Sequence, residues 1–247
     1  MRVGVAVVDL FTGLYTADAA VVVISGVSGV EVGTEKVWEI CDERHLPRII
    51  FVTQMDKERA DFDRVFEDVR DHLSPKVVPV EIPLGDGIAF HGIINLLTGL
   101  THDYQKGTKS GEYAEVPMPE ELKAKFAKYD EQLVEAIAAS DDALLERYLG
   151  GEEIPRADLV QVLKKGMQSG EIVPMLCGSA TLTYGCRALL TDMVELFPSP
   201  AEIPPLADGP LVARVFKTVS EPHVGDVSYF RVYRGSVKNG QSVYNAG

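Results

Sequence analysis

Two apolar runs, Ala19-Ala-Val-Val-Val-Ile24 and Ile49-Ile-Phe-Val52, are continuous instead of alternating, and each is followed by a helical pattern. A strand with no polar face must be covered on both sides, which antiparallel surface sheets do not provide and helix-flanked parallel sheets do. The first run passes through a glycine-bearing loop, Ser25 to Gly33, into a helix expected over Thr34 to Arg44. Thr34 is its expected N-cap, and Val37, Ile40 and Cys41 share one face. Pro47 closes that region and Arg48 to Val52 forms the second strand. A second helix is expected over Ala60 to Leu73, with Phe62, Val65, Phe66, Val69 and Leu73 inward. Strand–helix–strand–helix at this spacing implies a parallel sheet with right-handed crossovers.

The second strand ends in a polar turn, Thr53-Gln-Met-Asp56. An acid at the carboxyl end of a parallel strand sits where open α/β sheets bind ligands. A carboxylate there can accept hydrogen bonds from the two adjacent N–H groups of a guanine edge, each contributing about 1.5–3 kcal/mol. The competing reading of Asp56 is a helix cap. A second short signal far along the chain, Cys177-Gly-Ser-Ala180, bears on the choice. Gly26, Gly29 and Gly33 also lie between a strand and a helix, but not at the dinucleotide spacing, and no Gly-x-x-x-x-Gly-Lys-Ser/Thr occurs in the chain. They read as a turn-forming loop, which disfavours a nicotinamide dehydrogenase.

Beyond residue 75 the pattern changes. Lys76 to Pro83 and Ala89 to Leu97 read as two strands of a different sheet, separated by the Gly85-Asp-Gly87 turn, and Gly107 to Met118 as a polar loop. Helices are expected over Glu120 to Ala139, Asp142 to Leu149 and Arg156 to Ser169. From Glu112 to Asp158 thirteen acids stand against five bases, either a solvated helical surface or an acidic docking face. A buried strand over Glu171 to Leu176, the Cys177–Ala180 turn and a helix over Gly185 to Leu196 follow. Pro198, Pro200, Pro204 and Pro205 mark a linker, after which the chain reads as all-β from Leu211, with a strand at Val227 to Tyr233 and turns at Gly235 and Asn239-Gly240.

A net charge of −13 argues against a bare electrostatic grip on nucleic acid. Cys41, Cys177 and Cys186 form neither a disulfide framework nor a metal spacing and read as buried free thiols in a reducing cytosol. The five histidines are scattered, so no metal site on protein ligands is proposed. The opening Met1-Arg-Val-Gly-Val-Ala-Val-Val8 is cut short by Asp9 and reads as a short strand, not a signal sequence. No apolar run approaches membrane-spanning length, so no membrane partner is expected.

From about Ala17 onward the chain closely resembles translational GTPases of the elongation factor G type, most of all a divergent paralogue. The resemblance rests on Ala19–Ile24, Gly29-Val-Glu-Val-Gly-Thr-Glu35, Phe51–Phe62, Tyr148-Leu-Gly-Gly-Glu-Glu153 and Cys177–Ala180. Val215-Phe-Lys-Thr218, Pro222-His-Val-Gly225 and Phe230–Gly240 extend it collinearly. It implies an α/β fold: a P-loop-type GTPase domain over 1–75 and 171–200, interrupted by an α+β subdomain over 76–170. A linker over 201–209 and the start of a β-barrel over 210–247 follow. It also implies a guanine site of Thr53, Gln54, Asp56, Ser179 and Ala180. Asp56 would read the base, and a backbone N–H at Ser179-Ala180 would meet the guanine carbonyl oxygen. Thr53 stands where the family has Asn, and Gln54 where it has Lys.

The family's phosphate loop, its γ-phosphate switch and its Asp-x-x-Gly-His segment all precede the matched part. The chain is therefore expected to be a truncated, cytoplasmic paralogue that binds GTP or GDP and has no catalytic residue of its own, Mg²⁺ belonging only to a full-length parent. Expected partners are the ribosome, including its stalk protein, but no sequence-specific nucleic acid. The alternatives are a non-catalytic ribosome- or stalk-binding protein, or a gene fragment without independent function.

Overall fold

The computed structural model describes residues 10–108, 111–199, 202 and 207–245. They fall into two compact units, Ala19–Phe197 and the described parts of Met1–Asp18 with Pro198–Gly247. The first unit begins with β1 (Ala20–Ser25), α1 (Val32–Glu43), β2 (Arg48–Thr53), α2 (Phe62–His72) and β3 (Val77–Pro79). Four short strands come next, β4 (Glu81–Leu84), β5 (Gly92–Asn95), β6 (Thr101–Tyr104) and β7 (Tyr113–Val116). The helices α3 (Lys123–Ala138), α4 (Asp142–Leu149) and α5 (Arg156–Ser169) then lead to β8 (Val173–Cys177) and α6 (Cys186–Leu196).

The expected parallel sheet is present, with strand order β1-β2-β8-β3 and every pair parallel. β8 is buried throughout and β2 at every residue but Thr53, as their unbroken apolar runs require. β1 departs from that expectation, because Val23 is 58% exposed. Among the described strands β1 lies at the sheet edge, with a neighbour on one side only.

Helix α2 turns Phe62, Val65, Phe66 and Val69 into the core, and the Asp61 carboxylate caps it by accepting the Arg64 N–H at 3.0 Å. Its outer residues grip the glycine loop. Arg64 donates to the Val27 and Gly26 carbonyls at 2.7 and 3.3 Å, and Asp68 accepts the Val30 N–H at 2.7 Å. Gly29 lies in this grip at φ 76°, where an added Cβ would be 2.3 Å from the Asp68 carboxylate. Thr34 does not cap α1. The helix begins earlier, with Glu31 as N-cap, and the Thr34 hydroxyl reaches back to accept the Glu31 N–H at 3.3 Å.

The single strand expected over 76–83 is two strands in different sheets. β3 pairs with β8 in the parallel sheet, and β4 opens an antiparallel sheet of order β4-β5-β6-β7. Val80 is the pivot: its N–H donates to Met175 and its carbonyl accepts from Leu96, at 2.9 and 2.8 Å. Every residue from 77 to 84 is buried, so no change of period marks the crossing. β6 and β7 were not expected as strands. They carry polar residues, Thr101-His-Asp-Tyr104 and Tyr113-Ala-Glu-Val116, and β7 is largely solvent-facing.

Four of the five bases in the acidic helical stretch bond acids: Lys123 to Glu120, Lys125 to Asp63, Arg147 to Glu152 and Asp158, and Arg156 to Asp130. The fifth, Lys128, lies over the Tyr129 ring. No helix among the described residues is long and apolar enough to cross a membrane.

In the second unit residues 10–14 are helical, which was not expected, and β9 (Val212–Glu221) pairs antiparallel with β10 (Gly225–Arg234). The Arg231 guanidinium joins the two ends of this unit, donating to Asp18 at 2.6 Å and to the Thr16 carbonyl. The strand expected at Met1–Val8 and the linker residues Pro200, Pro204 and Pro205 lie outside the described residues.

Candidate functional site

β2 and β8 are neighbours in register, Val52 opposite Cys177, so the turns that leave them emerge side by side. The two turns are bonded directly. Gly178 N–H donates to Val52 O at 2.9 Å, and Met55 N–H donates to Gly178 O at 3.1 Å. Gly26 N–H, at the end of β1, donates to Thr53 O at 2.8 Å and ties a third strand end to the same corner. Gly178 is needed here for space: a Cβ would lie 2.3 Å from Tyr184 O and 2.7 Å from Phe51 Cζ.

Within the first turn Thr53 is half-buried and closes the strand. Gln54 is exposed in the left-handed region, at φ 63°, and its side-chain oxygen accepts the Ser25 hydroxyl at 2.8 Å. Met55 is fully buried beneath. The Asp56 side chain is 14% exposed, with Oδ2 3.0 Å from Lys57 Nζ. Its Oδ1 is buried and has no hydrogen-bond partner among the described residues. Burial pushes the Asp56 carboxyl up, but the Ser179 hydroxyl and the Lys57 ammonium outweigh it and hold the group below its ordinary value. Asp56 is therefore a carboxylate at neutral pH.

In the second turn Ser179 is fully buried, its N–H donates to Tyr184 O at 2.9 Å, and its hydroxyl oxygen accepts the Leu182 N–H at 3.2 Å. Ala180 is exposed, and its carbonyl accepts the Thr183 N–H at 3.4 Å. The Ala180 N–H makes no hydrogen bond within the described residues. Thr183 lies in the left-handed region, at φ 62°.

All five residues expected at the site thus meet at one corner. It presents a buried, partnerless carboxylate oxygen from one turn and a free backbone N–H from the other. A planar heterocycle with adjacent N–H donors and a carbonyl acceptor fits that pair. Sequence reasoning missed three contributors. The Ser179 hydroxyl acts on Asp56, Ser25 holds Gln54, and Tyr184 holds Ser179. Each of these links is long-range or rests on a backbone carbonyl, so no motif records it. Among the described residues no group of three or more His, Cys, Asp or Glu is placed to hold a metal ion. Cys41 and Cys177 are buried free thiols and Cys186 is half-buried, and burial pushes all three up, away from thiolate character.

Residues 7–199 match the family described as the elongation factor Tu GTP binding domain. Among solved structures, the chain is similar to a crystal structure of a protein from Thermus thermophilus, at 34% sequence identity and a TM-score of 0.81. The match covers 95% of this chain and 34% of that one, so the chain spans about a third of that protein's length.

Proposed function

Because the chain belongs to the elongation factor Tu GTP-binding domain family, as an elongation factor G-like translational GTPase, we propose that the corner between β2 and β8 binds the base of GTP or GDP. Asp56 accepts the two adjacent N–H groups of the guanine edge, and the Ala180 N–H in the Ser179-Ala180 turn meets its carbonyl oxygen. The observation that carries this reading is the ionised Asp56, held by the Ser179 hydroxyl and the Lys57 ammonium, whose buried Oδ1 has no hydrogen-bond partner among the described residues. A buried orphan acceptor costs about 1–3 kcal/mol, which a bound donor recovers. Thr53 and Gln54 border the base with weaker contacts than the family's Asn and Lys, because the Gln54 oxygen is already engaged by Ser25.

Base recognition is separate from phosphate chemistry. Phosphoryl transfer needs a phosphate cradle, a Mg²⁺ ligand and a positioned water, and residues 1–247 contain no Gly-x-x-x-x-Gly-Lys-Ser/Thr. We infer that these 247 residues bind guanine nucleotide weakly and do not hydrolyse it alone. The GTPase domain comprises the first segment, through β3, and 171–200, with the α+β insertion between them, a linker over 201–209 and the start of a β-barrel over 210–247. The ribosome, with its stalk protein at the insertion, is the proposed partner, in translation elongation in the cytoplasm. Calorimetric titration with GDP and ADP tests the site: heat with GDP only, abolished by Asp56→Ala, is expected. Equal heats for the two nucleotides, or an unaffected variant, would move the site elsewhere.

The second reading is a ribosome-binding protein that works without nucleotide. It is favoured by exposed acids in and around α3–α5: Glu121 just before α3, Glu131 on it and Glu153 between α4 and α5 form no ion pair among the described residues. Co-sedimentation with ribosomes that is indifferent to GDP would support it.

A further inference from the structure

The two turns of the proposed guanine site share a peculiarity. Each holds a non-glycine residue in the left-handed region, Gln54 at φ 63° and Thr183 at φ 62°. For a β-branched residue such as Thr183 that conformation is a genuine outlier, and it persists only where surrounding structure over-determines it. The inserted antiparallel sheet packs on the second turn and on the residues that leave the first.

Its contacts fall on the backbones of the turns. Preceding β7, Gly111 packs so closely on the second turn that a Cβ would be 2.5 Å from Thr183 O. The short helical turn after β4 packs just past the first, where a Cβ at Gly87 would be 3.1 Å from both Lys57 O and Glu58 O. An aromatic stack joins the inserted sheet to the second turn. Tyr184, whose carbonyl holds the Ser179 N–H, lies face to face with Tyr104 of β6, the ring centroids 4.6 Å apart at 13°. Phe90 leans on Tyr184 from the other strand connection, at 6.2 Å. Both tyrosines are buried, so the stack has no solvent into which to relax.

We propose that the insertion positions both base-reading turns, with Tyr104 and Tyr184 as the positioning residues, and that guanine affinity is therefore set from the inserted sheet. The inference rests on the guanine reading of the site but is measured independently of it. Anything that shifts β6 moves the Tyr184 carbonyl, and with it the Ser179-Ala180 backbone. Asp56 feels the same displacement through the Ser179 hydroxyl.

Amide hydrogen exchange on the whole chain without nucleotide, followed by GDP titration, tests this. In Tyr104→Leu the Ser179 amide should exchange about three- to tenfold faster, the worth of one aromatic pair. The Phe51 and Leu176 amides in the parallel sheet should keep their protection. GDP should bind weaker by a similar factor, and Tyr104→Phe, which keeps the ring, should restore both. Unchanged Ser179 exchange in Tyr104→Leu would overturn the proposal. If that variant loosens the whole sheet, Phe90→Leu makes the same comparison from the other side of Tyr184. Wild-type protein that fails to bind GDP refutes the guanine reading, while the exchange result still decides whether the insertion positions the turn.

Discussion

A methyl group at Gly178 has nowhere to go. It would meet the Tyr184 carbonyl and the Phe51 ring at 2.3 and 2.7 Å, and both belong to buried residues that hold the corner together. Gly178→Ala should lower stability by about 1–3 kcal/mol, measured by urea denaturation, because overpacking is relieved only by moving backbone. A neutral result would mean that the two turns tolerate separation. Gln54 is the opposite case, exposed and held by one hydrogen bond to Ser25. Gln54→Lys should tighten GDP binding by about two- to fivefold in calorimetry, since an ammonium stem over an aromatic base adds roughly 0.5–1 kcal/mol at an exposed site. Weaker binding would show that the Ser25 bond matters more than cover of the ring. At this scale the sequence was informative about polar residues that end strands. Asp56 and Ser179-Ala180 stand out because nothing in a buried sheet asks for them. The partners that tune them, the Ser179 hydroxyl and the Tyr184 carbonyl, are separated from Asp56 in sequence and brought together only by the β2–β8 pairing.

Helix α2 shows how an element acts beyond its own packing. Its buried face is legible as a spacing of three and four, but its polar face does specific work on the loop that leaves β1. Asp68 satisfies the Val30 N–H, and Arg64 satisfies two loop carbonyls. Asp68→Ala leaves that half-buried N–H without an acceptor and should cost about 1–3 kcal/mol, with faster exchange of the Val30 amide as the local signature. Equal exchange in the variant would mean that the loop is held by Arg64 alone. Elements whose burial changes along their length were read well, as α2 and the helices α3 to α5 were. The run from Val77 to Leu84 was not, because uniform burial erases the period that would mark where one sheet ends and another begins. β7 failed for the opposite reason, being an exposed edge strand with too little apolar content to register.

At the scale of the whole molecule, the least expected feature lies where β4 and α6 meet. Glu81 is fully buried, with the Cys177 backbone facing it but neither carboxylate oxygen in a hydrogen bond of ordinary geometry among the described residues, and Asp192 is 7% exposed with one oxygen partnerless there. Asp192, Cys177 and Tyr104 face Glu81, and Glu195 faces Asp192. Burial, and then the neighbouring acid, pushes Glu81 well above the usual carboxylate range and Asp192 up to about 7. Neither acid was singled out in the sequence, since one sits in an apolar run and the other on an amphipathic helix. The sign of the consequence follows from proton counting. Above about pH 4 the unfolded chain releases protons that the folded protein retains, so the folded state binds more of them and stability falls as pH rises. The contribution is whole below the unfolded values and disappears as pH passes through the folded ones, near 7 for Asp192. Asp56 works in the reverse sense, because its lowered value adds stability that is lost on acidification. Two buried acids against one partly exposed acid should decide the net trend. Urea denaturation should show the protein losing more than about 1 kcal/mol between pH 5 and pH 8. Glu81→Gln removes one titrating carboxyl of the facing pair while keeping its shape, so it should flatten that slope and make the variant the more stable form at pH 8. A wild-type profile already flat over this range would mean that the two acids are solvated in solution, and that the junction between the sheets opens to water.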